Sequence, residues 1–546
     1  MSRGSTPDSG GIGNWLSQAA AMLRGTDIEL RNFDPSRDGP LVSFDGLEGY
    51  EEIERYWLDA PFAFVSINYA PEDNEHYYHV VTPDLDPFER ELLETLSEDI
   101  RDLLLYRDDI RGNPEELLRG ELRERLEAYG VDADMDTFYR LFYYLHRSFR
   151  GYGRIDPLMY DPYIEDISCD GPEHAIYIYH EDCTDVETSI SFGENELDTY
   201  VVQLAQQAGR HVSVGNPVAG ATLPDGSRVE LALGEEVTPH GSAFTIRKYS
   251  EEPFTPIDLL DYGTYNLDQL AYLWLAIEHN KNFIFAGGTA AGKTTSMNAI
   301  SMFIPPRSKV ITIEDTRELA LYHDNWLSSI TRERLDEGAD ISMYDLLRSA
   351  LRHRPEYIVV GEVRGEEAIT LFQAMNTGHT TLSTMHADSV RTAINRLENE
   401  PINVPRQMVE SLDMLVVQTL TTVDEERARR ADTIAEIEGI DQRTGELDYT
   451  EAFDWSATDD DFSQGSQSVA EEVAGERGWS RTELLRELQR RQQFLETLQD
   501  ERVTDYRRFT ALVNQYYADP EATLDRLAEA TDQPIEREPT SGAEAD

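Results

Sequence analysis

A glycine-rich octet that follows a short apolar run constrains the fold most strongly. Residues Gly287–Thr294 read Gly-Gly-Thr-Ala-Ala-Gly-Lys-Thr and match the phosphate-binding loop, or P-loop, pattern G-x4-G-K-[ST] in full. Phe283–Ala286 before it predicts a buried strand, and Thr294–Phe303 predicts a helix. At such a junction, small residues let backbone N–H groups surround phosphate oxygens. The sequence therefore predicts an α/β domain with a nucleotide-phosphate site.

The residue types in the loop indicate which groups would hold the nucleotide. Lys293 is expected to bridge the β- and γ-phosphates, and the Thr294 hydroxyl is expected to bind Mg²⁺. A guanine site would require Asn-Lys-x-Asp downstream, but the Asn280-Lys281 pair precedes the loop, so ATP is the predicted nucleotide. The predicted nucleotide-binding residues of the loop are Gly287, Gly288, Thr289, Ala290, Ala291, Gly292, Lys293, Thr294 and Thr295.

Two further apolar runs predict strands that end in carboxylates. Tyr357–Val360 is followed by Gly361-Glu362, a Walker B arrangement in which Glu362 binds Mg²⁺ directly or through water, or orients the attacking water. Lys309–Ile313 is followed by Glu314, a second candidate for polarising water. The carboxyl ends of parallel strands meet at one edge of a sheet, where ligands bind. The sequence does not decide which glutamate is the general base.

The segment Thr377–Ala387 contains two histidines, His379 and His386. Their seven-residue separation suits no helical zinc pair, so a metal site is excluded here. A hydrogen-bond relay that senses the γ-phosphate is the functional interpretation, and a structural role for each ring is the alternative.

The chain is strongly acidic along its whole length. It carries 105 Asp and Glu against 48 Lys and Arg, a net charge of −57, and only four of the basic residues are lysines. The 27 Tyr, 19 Phe and 6 Trp argue against disorder. Diffuse acidity with few lysines is typical of a surface hydrated in concentrated salt, where charges are screened over ~3 Å at 1 M. We expect a halophilic cytoplasmic protein, and the charge says little about partners.

The cysteines and the hydropathy pattern exclude two further classes. Cys169 and Cys183 fit no metal spacing and no disulfide framework, so reduced thiols are expected. No apolar run reaches the ~18 residues that a spanning helix needs. Any membrane role is therefore expected to be peripheral.

Shifts in composition and periodicity divide the chain into seven segments. We expect a flexible N-terminus (1–45), a mainly helical N-terminal region (46–150), a smaller α/β N-terminal domain (151–250), a linker (251–262), a P-loop domain with a doubly wound parallel sheet (263–455), an acidic flexible link (456–477) and a helical C-terminal tail with a disordered end (478–546).

Four segments occur in an order that resembles a known family. They are GGTAAGKTT, the "Asp box" ITIEDTREL, YIVVGEVRG and the "His box" TGHTTLSTMHA. Together they resemble the secretion superfamily of type II/type IV ATPases and its archaeal branch, which includes pilus-assembly, archaellum and secretion motors. The resemblance covers roughly residues 150–455, and the upstream segments IEDISCDGP, NPVAGATLPDGSRV and FTIRKYS are similar to the family's N-terminal domain and linker.

The resemblance implies a RecA-type P-loop domain in a homo-hexameric ring, with ATP and Mg²⁺ bound between two domains. It further implies work on a membrane platform protein, and indirectly on pilin-like subunits, at the inner face of the cell membrane. The implied catalytic residues are Glu314, Glu362 and His386, with His379 at the nucleotide. Arginine fingers come from the N-terminal domain in this family. The candidates here are Arg210, Arg228 and, third, Arg247.

The chain departs from the family pattern at two points, and three alternative functions stay open. Ala291 stands where many relatives have Ser or Gly, and the tetracysteine zinc module of many bacterial members is absent. An archaellum motor would share every motif. A nucleic-acid translocase would show a basic, aromatic-lined pore, and because no Lys/Arg cluster resembles one, nucleic acid is not expected. A nucleotide-gated scaffold without turnover is disfavoured by the intact Lys293, Thr294 and Glu362.

Overall fold

The computed structural model forms two compact units, Met1–Tyr249 and Ser250–Asp546. The described residues are Phe33, Gly39 and the ranges 41–71, 74–105, 114–180, 183–249, 253–332, 340–423 and 426–531. The expected disordered end after residue 531, and nearly all of the expected flexible segment 1–45, lie outside them. Within the described residues, no helix combines the length and the apolar composition that crossing a membrane requires.

The described part of the first unit contains one nine-stranded sheet in the order β1-β2-β3-β6-β5-β4-β9-β8-β7. Its strands are β1 (Glu51–Asp59), β2 (Ala63–Ala70), β3 (Glu75–Val81), β4 (Ile164–Cys169), β5 (Ala175–His180), β6 (Thr184–Ser191), β7 (Val218–Thr222), β8 (Arg228–Ala232) and β9 (Ala243–Arg247). The helices are α1 (Pro87–Leu105), α2 (Pro114–Tyr129), α3 (Met135–Phe149), α4 (Asp156–Tyr160) and α5 (Glu194–Gln207). Residues Gly153–Ile155 form a short 3-10 helix.

The expected mainly helical region 46–150 needs correction, because it opens with three strands. β2 is buried along its first six residues, so it is a central strand, and continuous burial conceals the alternation that predicts strands. β3 pairs in parallel with β6 through Tyr77↔Glu187. Segments 46–150 and 151–250 therefore share one sheet rather than forming separate bodies. The helical expectation holds for α1–α3, whose apolar faces form a core of their own.

The described part of the second unit contains a second nine-stranded sheet, in the order β12-β11-β13-β14-β10-β15-β16-β17-β18. Its strands are β10 (Phe283–Gly287), β11 (Val310–Glu314), β12 (Trp326–Ile330), β13 (Tyr357–Val360), β14 (Thr380–His386), β15 (Met414–Val423), β16 (Glu426–Ile440), β17 (Leu447–Ser456) and β18 (Asp461–Gln464). The six from β12 to β15 are parallel, and three antiparallel strands follow. The α/β fold with a parallel P-loop sheet is thus confirmed, with an antiparallel extension.

Helices cover both faces of this sheet. They are α6 (Pro256–Asp261), α7 (Leu267–Glu278), α8 (Lys293–Ser301), α9 (Met343–Ala350), α10 (Glu367–Asn376), α11 (Val390–Glu398), α12 (Arg406–Val409), α13 (Ser468–Arg477), α14 (Arg481–Asp500), α15 (Tyr506–Ala518) and α16 (Pro520–Thr531), with a short 3-10 helix at Leu351–His353. Along β10, Phe283 and Phe285 enter one apolar core and Ile284 and Ala286 enter the other. A strand buried on both faces is what a parallel sheet between two helix layers requires.

The segments expected to be a linker and an acidic flexible link both contain regular secondary structure. The expected linker 251–262 contains α6, which begins at Pro256 after the N-capping residue Thr255 and buries Ile257 completely. The expected acidic link 456–477 contains β18 and α13. Although acidic and serine residues dominate the composition of this link, Val469, Ala470, Val473 and Ala474 fall on one helical face and pack into the core.

The C-terminal helices α14 to α16 complete one face of the second sheet. Trp274 of α7 stacks on Phe303 with ring centroids 4.8 Å apart, and its Nε1 donates a hydrogen bond to the Tyr517 hydroxyl at 2.9 Å. The Arg491 guanidinium forms a buried ion pair with Glu278 of α7. Since Phe494 is fully buried in the same cluster, the tail is part of the domain core rather than an appendage.

Candidate active site

The P-loop leaves the sheet at its centre. β10 lies between β14 and β15 and pairs with both in parallel, and each of its five residues is buried. β10 and β14 therefore end side by side, at Gly287 and His386, while β15 continues beyond Gln418, the residue opposite Gly287. Ligands bind at this edge in open parallel sheets.

Backbone conformation explains the small residues of the loop. A Cβ on Gly287 would lie 2.6 Å from the carbonyl oxygen of Gln418 on β15, so only glycine fits. Ala290 and Gly292 adopt positive φ values of 58° and 86°. At Gly292 no side chain caps the first turn of α8, so its N–H groups have no side-chain acceptor there. A helix start of this kind binds anions through its N–H groups and its dipole.

Lys293 opens α8 and points back into the loop. Its Nζ donates a hydrogen bond to the carbonyl oxygen of Gly288 at 2.7 Å. Partial burial lowers the pKa of Lys293, and the nearby carboxylates of Glu362 and Glu318 oppose that shift. The loop thus holds the Lys293 cation against one of its own carbonyl oxygens, at the N-terminus of α8. Thr294 and Thr295 follow in the first turn of the helix.

Glu314 is the last residue of β11 and is almost fully buried. Its Oε1 accepts hydrogen bonds from the backbone N–H groups of Glu318 and Leu319, at 3.0 and 2.8 Å. Its Oε2 has no hydrogen-bond partner among the described residues. Burial raises the pKa of Glu314 to about 7, despite the two backbone donors that oppose the shift. A carboxyl with this pKa can take up or release a proton near neutral pH.

Glu362 follows β13 and lies in a different environment. Its Oε2 is 2.6 Å from Nη2 of Arg364, and its side chain is partly exposed. The preceding Gly361 packs against Glu314, since a Cβ on Gly361 would be 3.3 Å from the Glu314 Cγ. The ends of β11 and β13 therefore bring both predicted glutamates to one edge of the sheet. The negative charge of Glu362 also opposes the lowering of the Lys293 pKa by burial.

The two histidines lie at opposite ends of β14. His386 ends the strand, is exposed, and pairs in register with Gly287, the first residue of the P-loop. His379 precedes the strand, where its ring contacts the Thr377 hydroxyl at 3.2 Å. The strand separates the two rings by about 20 Å. The expectation that His379 binds the nucleotide of this P-loop is therefore corrected, because His379 lies at the amino edge of the sheet.

The three candidate arginines lie in the first unit, on or beside its sheet. Arg228 of β8 and Arg247 of β9 stand opposite one another, and both are exposed. Arg247 Nε donates to Asp166 Oδ1 at 3.0 Å, and Arg228 lies 3.7 Å from Glu230. Arg210 follows α5 and is half-buried. Their role as fingers stays a prediction.

Sequence reasoning missed two residues that border the loop. Gln418 of β15 is buried and donates from Nε2 to the Tyr265 hydroxyl at 2.5 Å, while its carbonyl lies behind Gly287. Arg429 of β16 donates from Nε to the Ala290 carbonyl at 3.0 Å. Neither residue belongs to a local motif, and both reach the loop only through pairing with distant strands.

The donor set fits Mg²⁺ held together with phosphate. Among the described residues, no group of three or more His, Cys, Asp or Glu side chains converges on a metal position. Mg²⁺ is usually bound by one or two protein oxygens, substrate phosphates and water. The Thr294 hydroxyl and the Glu362 carboxylate are oxygen donors of this kind beside the loop.

Comparison with known proteins agrees with this geometry. Residues 151–511 match the family model of the type II/IV secretion system protein, and residues 10–84 match a PilB3-like N-terminal model. The uncharacterized protein MJ0900 of Methanocaldococcus jannaschii is 37% identical over 384 residues, which is 69% of this chain and 70% of that protein.

A bacterial relative and a solved structure extend the comparison. The type IV secretion system protein PtlH of Bordetella pertussis is 33% identical over 260 residues, 41% of this chain and 76% of that protein. The VirB11 ATPase structure from the Brucella suis type IV secretion system is 23% identical and covers 52% of this chain and 95% of that one, with a TM-score of 0.27. The family match spans well over half of the residues, and the chain belongs to the type II/IV secretion system protein family.

Proposed function

We propose that the protein is an ATP-hydrolysing motor that powers assembly of type IV pilus-like filaments or type II/IV secretion. In this proposal six copies form a ring at the inner face of the cell membrane and act on a membrane platform protein. The observation that carries the hydrolytic part is the buried Glu314, whose free Oε2 lies at the same sheet edge as the P-loop. Family membership supports the motor part.

Hydrolysis requires a water molecule to attack the γ-phosphorus in line with the leaving group. The water oxygen forms a bond to phosphorus, the bond from phosphorus to the β,γ-bridging oxygen breaks, and ADP leaves with its electron pair. The proton of the attacking water passes to Glu314. Lys293 neutralises charge on the β- and γ-phosphates, and Mg²⁺ supplies Lewis-acid charge when it is bound with them.

The two glutamates take different roles in this proposal. Glu314 is the general base, because burial raises its pKa to about 7 and one carboxyl oxygen is unpartnered within the described residues. Glu362 positions the metal or its water, because Arg364 holds its carboxylate in one orientation. His386 stands at the P-loop edge, where it can report on the γ-phosphate.

Filament assembly is preferred to the archaellum alternative on one observation. The PilB3-like N-terminal match covers residues 10–84, a segment upstream of the shared motor motifs. The arginine fingers Arg210, Arg228 and Arg247 are proposed to act on nucleotide in the ring. This part of the proposal rests on resemblance alone.

Phosphate release tests the proposed ATP hydrolysis. The assay uses the full chain with Mg²⁺ and ATP in molar KCl, because the acidic surface predicts a requirement for salt. Lys293→Ala should abolish release, and Lys309→Ala is the matched control because Lys309 lies at the amino end of β11, away from the loop. Absence of Mg²⁺-dependent release by the wild-type hexamer or monomer would exclude a motor.

Counts of surface filaments test the proposed role in filament assembly. Glu362→Gln on the chromosome should remove thin pili and leave thick swimming filaments intact, as counted by electron microscopy. Glu366→Gln is the control, because Glu366 is exposed in the same loop and its side chain forms no capping hydrogen bond with α10. Loss of swimming filaments with pili intact would point to the archaellum, and unchanged surfaces would point to another export substrate.

A further inference from the structure

The β15–β16 hairpin continues beyond the edge of the parallel sheet. β10 pairs with β15 from Phe283↔Met414 to Gly287↔Gln418 and then becomes the P-loop. β15 and β16 remain paired for five further positions, out to Val423↔Glu426. These residues, 419–423 and 426–430, form an outer hairpin that projects alongside the loop.

One side chain of the outer hairpin contacts the P-loop directly. Arg429 donates from Nε to the carbonyl oxygen of Ala290 at 3.0 Å. Its Cδ lies 3.3 Å from the position that a Cβ on Gly292 would occupy. Arg429 thus packs against both residues that give the loop its positive φ angles. A non-glycine residue such as Ala290 keeps that conformation only when its surroundings fix it.

The neighbouring arginine fixes the outer hairpin in place. Successive side chains of a strand point to opposite faces, so Arg430 faces away from Arg429. Arg430 is buried and donates to both carboxylate oxygens of Asp460 at 2.8 Å, and to the Tyr262 carbonyl at 2.9 Å. This bidentate anchor sets the position from which Arg429 reaches the loop.

We infer that Arg429 is a positioning residue of the nucleotide site, which holds the P-loop ready for the diphosphate of a nucleoside di- or triphosphate. Its hydrogen bond turns the Ala290 carbonyl toward the hairpin, so the loop presents N–H groups rather than a carbonyl oxygen to the phosphates. Among the described residues, its Nη1 and Nη2 form no hydrogen bond or ion pair, so a cation stays beside the loop. This inference rests on the proposed function.

The test compares Arg429→Ala with Arg427→Ala. Arg427 is the control because it is exposed, carries the same charge and lies two residues away on the same face of β16. In Arg429→Ala we expect the dissociation constant for ADP and the KM for ATP to rise about fivefold, the factor that one typical hydrogen bond represents. The kcat should stay within about twofold, because the lost interaction acts equally on ground and transition states. Arg429→Lys should recover part of the binding.

Each outcome is decisive. If wild type and Arg429→Ala bind ADP equally while wild type hydrolyses ATP, this inference fails and the proposed function stands. An equal loss of ADP affinity in Arg427→Ala would indicate that any positive charge on this face of β16 has the same effect, and it would overturn the positioning role of Arg429. If the wild-type protein binds no nucleotide, both the proposed function and this inference fail. Melting temperatures without nucleotide should be unchanged, which separates a positioning role from a folding defect.

Discussion

Arg364 holds Glu362 by an ion pair of 2.6 Å, whereas the second glutamate at this edge, Glu314, keeps an oxygen without a hydrogen-bond partner among the described residues. Two carboxylates on neighbouring strands thus have different environments. Such a difference in environment is a common basis for distinct roles of paired acids in a site.

The first prediction concerns the general base. Glu314→Gln should lower kcat for ATP hydrolysis by about 10²- to 10⁴-fold, the range expected for loss of a base, with ADP affinity changed little. Glu366→Gln should match wild type. The measurement is steady-state phosphate release together with ADP titration. A Glu314→Gln variant with wild-type kcat would assign the base elsewhere, with Glu362 as the next residue to test.

The second prediction follows from the pKa of Glu314, which burial raises to about 7. A base must be unprotonated, so kcat/KM should fall as pH drops through about 7. Stability should show the opposite dependence on pH. Since the folded carboxyl binds its proton more tightly than the unfolded one (4.5), wild type loses stability as pH rises from about 4.5 to 7.

Glu314→Gln lacks this titration and provides the comparison. The variant should therefore become more stable than wild type above pH 7, by up to about 3 kcal/mol, with the difference shrinking toward pH 5. Urea unfolding at pH 5, 6, 7 and 8 measures it. A difference that is constant with pH would contradict the raised pKa.

The third prediction concerns the start of the loop. Gly287→Ala places a Cβ 2.6 Å from the Gln418 carbonyl oxygen, and this backbone contact cannot relax cheaply. We expect a loss of about 1 to 3 kcal/mol in the free energy of unfolding. Gly288→Ala is the matched control for stability, because a Cβ there meets nothing within 4 Å. Equal stabilities of the two variants would show that the strand end moves to accept the methyl group.

The fourth prediction concerns the C-terminal tail. Phe494 of α14 is fully buried against Trp274, so Phe494→Ala should destabilise the second unit by about 3 to 5 kcal/mol. Leu485→Ala on the same helix should change stability by less than about 0.5 kcal/mol, because Leu485 is 52% exposed. Thermal unfolding in molar KCl compares them. A small effect of Phe494→Ala would mean that the tail docks loosely in solution.

The fifth prediction separates the two histidines. His386→Ala should reduce ATP turnover because His386 pairs with Gly287 at the loop. His379→Ala should leave the ADP dissociation constant within about twofold, since about 20 Å of strand separates it from that edge. Titration with ADP and single-turnover hydrolysis provide the two readouts. A large loss of ADP affinity in His379→Ala would require a second nucleotide contact.

The sequence predicted the centre of the site, because each motif there is a short contiguous run of residues. The P-loop, the strand Phe283–Gly287 and the carboxylates that end β11 and β13 each follow from a contiguous pattern. The sequence showed that His379 and His386 are seven residues apart. Whether the two rings lie close together depends on the conformation of the residues between them, which form strand β14. An extended chain carries residues seven apart to opposite ends of an element, whereas a helix brings them to one face.

Tertiary contacts explain what the sequence did not predict. β1 is an edge strand that opens with Glu-Glu-Ile-Glu-Arg, and because these five residues are exposed and mostly charged, they gave no strand signal. The helical pattern of α14 was evident, but its partner Trp274 lies far upstream in the chain. Arg429 approaches the loop through a hairpin that follows β15, and no motif links it to Ala290.

The position of β10 between two parallel neighbours has a mechanical consequence. A strand laddered on both sides cannot tilt or slide without breaking hydrogen bonds to β14 and β15 together. The residue at which the P-loop begins is therefore held in place by hydrogen-bonded strands on both sides. An edge strand such as β12 has a single neighbour, β11, so it can shift by breaking hydrogen bonds on one side alone.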